Sequence, residues 1–121
     1  KEQYYHEIIT HLYALGIKPD WWKLPGMSAE GWTALSRIIE QNDSYCRGIL
    51  ILGLDAPETV FDETFKAAAN APLVKGFAVG RTIFAEPSAD WLAGNLNDQQ
   101  LIDAVSERYQ RLIRLWKKYR A

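Results

Sequence analysis

Lys23, Gly53 and the pair Gly80-Arg81 are the residues of this chain whose types and settings suit chemistry. Lys23 lies inside Trp21-Trp22-Lys23-Leu24, a short aromatic run that reads as a strand. A charge inside such a run is costly unless it has a purpose. Strand alternation puts Trp22 and Leu24 on one side and Trp21 and Lys23 on the other. With Trp22 and Leu24 packed on helices, Lys23 is predicted to point into the mouth of the fold. A lysine taken out of water, or set beside another cation, gives up its proton more readily. Its neutral amine can then attack a ketone and form a Schiff base, an electron sink for carbon–carbon cleavage. The competing reading is a lysine that extends to solvent, or that pairs with an acid from another part of the protein.

Gly80 and Arg81 end the run Val74-Lys75-Gly76-Phe77-Ala78-Val79. A glycine lets the backbone approach a ligand with no Cβ in the way. The arginine brings a planar fork of donors suited to phosphate or carboxylate. Gly53 sits at the end of a second apolar run, Gly48-Ile49-Leu50-Ile51-Leu52-Gly53-Leu54. The N–H groups of Gly53, Gly80 and Arg81 are predicted to converge on one anion, helped by a helix start. The alternative is that Gly80 relieves packing and Arg81 makes a surface ion pair.

Other candidates carry less. Asp55 suits a cap on the following helix as well as a substrate contact, and Lys75 precedes its strand. His6 and His11 lie on or beside a helix stripe with no ligand-like partners, so no metal is expected. Cys46 sits at a helix-to-strand turn without an activating base, which argues against a nucleophile. Arg108, Arg111, Arg114, Lys117, Lys118 and Arg120 interleave with an apolar face near the chain's end and read as a solvated, dipole-compensating face.

The elements that must position these residues follow from periodicity. Tyr5, Ile8, Ile9, Leu12, Tyr13 and Leu15 recur at helical spacing, which predicts a helix over 2–15 capped by Gly16. Ser28 is a plausible cap for a helix over 29–41, with Trp32, Leu35, Ile38 and Ile39 on one face. The run from Gly48 to Leu54 has no alternation, the mark of a strand covered on both sides. Asp55-Ala56-Pro57 opens a third helix that closes at Ala71-Pro72. The closing strand is read as continuing from Gly76 to Phe84, and Glu86-Pro87-Ser88 as starting a short helix. Asn97 and Gln100 form a capping box for a long final helix.

The chain has 121 residues, 48% hydrophobic and 24% charged, a globular composition with one core. Its net charge of -1 gives no argument for nucleic acid or an anionic membrane. One cysteine excludes an internal disulfide and fits a reducing, cytoplasmic compartment. No apolar run approaches the ~18 residues of a membrane span. Strand starts recur about every 28 residues, close to the ~31 of an eight-unit barrel. Three parallel strands would leave two open edges. The expectation is therefore an α/β fold: the C-terminal part, about strands six to eight, of a (β/α)8 TIM barrel; the runner-up is part of an open doubly wound sheet, against which no Gly-x-Gly-x-x-Gly turn follows any strand. On that expectation residues 1–121 belong to one domain and lack the barrel's N-terminal half. Open edges also predict association, with that half or with a second copy.

Asp20-Trp21-Trp22-Lys23-Leu24-Pro25, followed by Gly76-Phe77-Ala78-Val79-Gly80-Arg81-Thr82-Ile83-Phe84, resembles the aldolase-like domain fused behind the sugar kinase in bacterial 5-dehydro-2-deoxygluconokinases of inositol catabolism. That domain in turn is similar to the class I tagatose-bisphosphate aldolases, which are TIM barrels. The resemblance implies that Lys23 forms the Schiff base and that Gly80 and Arg81 grip phosphate, with no cofactor. It implies retro-aldol cleavage of 2-deoxy-5-keto-gluconate 6-phosphate to dihydroxyacetone phosphate and malonic semialdehyde. The alternative is a non-catalytic, phosphate-binding domain that regulates an attached carbohydrate kinase. The aldolases place a glutamate two positions after the lysine, where this chain has Pro25.

Overall fold

In the computed structural model, which describes residues 1–120, the first helix α1 spans Glu2–Ala14. Gly16 follows at φ 82° and its N–H reaches Tyr13 O, so the left-handed cap forms where glycine allows it. Strand β1 is Trp21–Pro25. Helix α2 is Ala29–Asn42, and the Ser28 hydroxyl accepts from the Gly31 N–H as its N-cap. Strand β2 is Gly48–Leu52. A 3-10 turn over Glu58–Val60 leads into α3, Phe61–Ala67. Strand β3 is Val74–Ala78, α4 is Arg81–Leu92 and α5 is Asp98–Tyr119. The Asn97–Gln100 capping box is present, with both reciprocal bonds made.

The three strands pair in parallel in the order β1-β2-β3. When strand order follows chain order and both crossovers have the usual right hand, both connections pass over the same face. Trp22, Leu24, Ile49, Ile51 and Val74 are buried on that face. The Trp22 indole donates to the Tyr13 hydroxyl at 2.9 Å, which fastens β1 under α1. Phe65 is fully buried and its ring meets Phe61, Phe77 and Trp116 at 5.2–5.5 Å between centroids. The opposite face carries Trp21, Lys23, Leu50 and Leu52, none of them buried.

This architecture overturns the expected barrel. Three five-residue strands and five helices make an open α/β layer, too small and with too few strands for half of an eight-stranded barrel. The strand-helix period is common to both arrangements, so it cannot tell them apart. The predicted covering on both sides also fails, because the buried side chains of the strands all lie on one face. No helix among the described residues is long and apolar enough to cross a membrane.

Electrostatic ties hold α5 to the rest. Arg111 makes a two-pronged pair with Glu58 at 2.6 and 3.1 Å, and its hydrogen bonds hold the Glu58 carboxyl below the usual range. The Tyr119 hydroxyl donates to Asp62 and lowers that carboxyl too. Arg120 was expected on a solvated face. Instead its guanidinium donates to the carbonyls of Ala68, Ala69, Ala71 and Val74, at 2.9, 3.2, 3.0 and 2.8 Å.

Candidate functional site

The carboxyl ends of β2 and β3 come close together. A Cβ added at Gly53 would stand 3.1 Å from Val79 Cγ1 and 3.4 Å from Thr82 Oγ1. One added at Gly80 would stand 3.2 Å from the Phe84 ring. A side chain at either glycine would press on these neighbours by a few tenths of an ångström. Between these ends lies a cleft of about 380 Å³ that includes Gly53, Asp55, Gly80, Arg81 and Thr82 in its lining. A second cleft of about 460 Å³ adjoins it across Leu52-Gly53-Leu54, lined also by Pro25, Phe61 and Thr64.

The strand predicted to run on to Phe84 stops at Ala78, and helix α4 begins at Arg81. Thr82 decides this locally, because its hydroxyl donates to Ala56 O at 2.7 Å while Ile83 is buried. Arg81 and Thr82 thus supply the first N–H groups of a helix, which have no intrahelical acceptors. Neither has an acceptor among the described residues. A helix start of this kind favours an anion.

An internal anion already faces Arg81. Asp55 Oδ1 lies 2.8 Å from Arg81 Nε, with both side chains more than half exposed. Leu54 and Asp55 have φ of 49° and 60°. Such left-handed backbone costs non-glycine residues about 1–2 kcal/mol each. The loop is held there by the bond from Ala56 N–H to Gly53 O and by the Thr82–Ala56 bond. Asp55 therefore neither caps α3, which starts six residues later after a 3-10 turn, nor points away from the cleft.

Gly53, Gly80 and Arg81 line one cleft, where Arg81 makes the exposed ion pair of the alternative reading, and Lys23 does not join them. It pairs in register with Leu50, which pairs with Gly76, so it lies mid-strand and two strands from β3. That is roughly 10 Å across the sheet before any offset along the strands. It lines neither cleft. Trp22 and Leu24 do pack toward the helices, but Lys23 is exposed on an open face and enters no barrel mouth.

The remaining candidates fall out plainly. The ring of His6 meets Gly31 O at 3.0 Å, a structural contact, and no metal-binding cluster of three or more groups exists among the described residues. Burial pushes the Cys46 thiol up, away from the reactive thiolate. The Asp55–Arg81 pair was missed as a unit. Its only sequence signal was an acid and a base each following a strand-end glycine.

Fold and site together define a one-sided parallel α/β domain with paired clefts at the carboxyl ends of its strands. Residues 1–120 match the family model described as "Uncharacterized protein conserved in bacteria (DUF2090)", and the chain belongs to that family. No curated protein and no solved structure matches it.

Proposed function

We propose that the chain binds a phosphorylated small molecule at the β3–α4 turn and serves as a metabolite-binding or regulatory domain, of a kind suited to attachment to a carbohydrate kinase. The observation that carries this is the convergence of Gly53, Gly80 and Arg81 on one cleft, with two unpaired helix N–H groups beside the arginine. The ligand's phosphate takes the place of the Asp55 carboxylate on Arg81. Its remaining atoms extend over Leu54 into the adjoining cleft. The free thiol at Cys46 fits a reducing compartment, and the reading assigns the cytoplasm.

Titration calorimetry at low ionic strength, with inorganic phosphate and then hexose phosphates, tests this. Arg81→Ala is expected to weaken binding at least tenfold, since a charge-assisted bond is worth about 1.5–3 kcal/mol. Asp55→Asn is expected to tighten binding several-fold by removing the competing anion. If neither the wild type nor Asp55→Asn takes up any phosphate, the reading is wrong.

A second reading rests on Lys23, an amine held on an apolar, accessible face beside Leu50. It is a class I aldolase-like lyase acting on 2-deoxy-5-keto-gluconate 6-phosphate in inositol catabolism. The amine condenses with the ketone and releases water. A base removes the proton of the hydroxyl β to the iminium carbon, and the carbon–carbon bond breaks toward the nitrogen as an enamine. Protonation and hydrolysis of the enamine free Lys23. Position 25 is proline, so the base comes from elsewhere than this strand. Borohydride added to protein and keto-sugar phosphate should leave covalent mass on Lys23, and an unmodified Lys23 in an active preparation would remove this reading.

A further inference from the structure

The three strands, Trp21–Pro25, Gly48–Leu52 and Val74–Ala78, contain two lysines and no carboxylate. Lys23 stands on the face that no helix covers, with Trp21, Leu50 and Leu52. Lys75 reaches the same face. A Cβ built at Gly48, where φ is 146°, would lie 2.6 Å from Lys75 Cγ and 3.2 Å from the Trp21 ring. Those two side chains roof the glycine from one side. Neither lysine forms an ion pair among the described residues. A parallel sheet is normally covered on both faces, and here a basic, half-apolar face is left open.

The same chain carries a surface of opposite character. Between Arg81 and Arg108 there is no lysine or arginine, while Glu86, Asp90, Asp98, Asp103 and Glu107 all fall there. This stretch is the α4–α5 hairpin. Glu86 and Glu107 are taken up by Arg108 and Arg111. Asp90 and Asp103 remain free of cations, at the end of the hairpin where Trp91, Leu92 and Ile102 are 40%, 77% and 59% exposed. The hairpin thus offers exposed apolar side chains and two unpaired carboxylates, and the sheet face offers exposed Trp21, part-buried Leu50 and Leu52 and two unpaired lysines.

We infer that the open sheet face docks a second copy of this chain, whose α4–α5 hairpin supplies the missing helical layer. The proposed exchange is reciprocal, each copy giving its hairpin and receiving its partner's, and it closes as a two-fold dimer. The hairpin's carboxylates face Lys23 and Lys75, and Leu92 and Ile102 lie against Leu50 and Leu52. Leu52 also lines both carboxyl-end clefts, so the docked hairpin borders them, and it covers Lys23.

Sedimentation velocity on the full chain over a wide concentration range tests it. The wild type is expected to dimerise, and the dimer to weaken as salt screens the charge pairs. Lys23→Glu with Lys75→Glu, and separately Asp90→Lys with Asp103→Lys, should each raise the dissociation constant at least tenfold. All four sites are exposed, so thermal melts by circular dichroism should stay close to wild type and report folding separately. Mixing the two double variants pairs glutamate face with lysine hairpin, and native face with native hairpin, so the mixture should dimerise again. A wild type that stays monomeric overturns the inference and leaves the face to a different polypeptide. Dimers that survive in either double variant, or a mixture that fails to restore them while both variants are folded, overturn it equally.

Discussion

Arg120→Ala is expected to lower stability by roughly 2–4 kcal/mol, read as a shift in the denaturant midpoint with little change in slope. The guanidinium bridges four carbonyls at once. Those of Ala68 and Ala71 also accept the Ala71 and Val74 N–H groups, so Arg120 adds a second, charge-assisted bond at the end of α3 and in the turn beyond it, and it is a partner for Ala69 O as well. The Val74 carbonyl opens β3. One planar group therefore closes the α3–β3 connection and anchors the end of α5. It also lies over the Trp116 ring at 5.3 Å, next to the aromatic core. Arg120→Lys should recover only part of the loss, because an ammonium cannot present the same fork. Arg114→Ala, on the exposed side of α5, should fall within about 0.5 kcal/mol of wild type. If Arg120→Ala behaves like Arg114→Ala, the four contacts do not persist in solution.

The second large effect is expected at Phe65→Ala, at about 3–5 kcal/mol. Phe65 is fully buried and its ring joins Phe61 of its own helix to Phe77 of β3 and Trp116 of α5. Removing it leaves a void between rigid rings that cannot collapse far. Domains are commonly stable by only 5–15 kcal/mol. The variant should therefore melt many degrees lower and lose cooperativity between the sheet and α5. Phe65→Leu keeps much of the volume and should cost less than about 1.5 kcal/mol beyond the lost ring contacts. Calorimetric melts of the two variants decide between a packing role and an indifferent position: equal, small shifts would contradict this view of the core.

What was legible in the sequence was local. Gly16, Ser28 and the Asn97–Gln100 pair predicted helix ends because their side chains or backbone freedom act within a few residues. Trp22 and Leu24 were readable as inward-facing because strand alternation is a property of the backbone. The course of Val79 to Phe84 was not legible. β-Branched and aromatic residues there favour a strand, yet the bond from Thr82 to Ala56 and the burial of Ile83 turn the chain into α4. Pro87, read as near a helix start, lies inside that helix. The final basic residues looked alike in sequence, and only their distances to Glu58, Glu86 and the Ala68–Val74 carbonyls separate Arg111, Arg108 and Arg120 from Arg114.

The sequence by itself determined the alternation of strand and helix, the apolar faces and the grouping of Gly53, Gly80 and Arg81 at strand ends. Those follow from periodicity and from where glycine and arginine stand in the chain. Only the tertiary structure decided that three strands form an open layer with one bare face. It also placed Lys23 on that face, away from Arg81, and seated the Asp55 carboxylate against that arginine. Closure of a sheet and the pairing of distant charges depend on strand count and on contacts between remote residues. No local period encodes either.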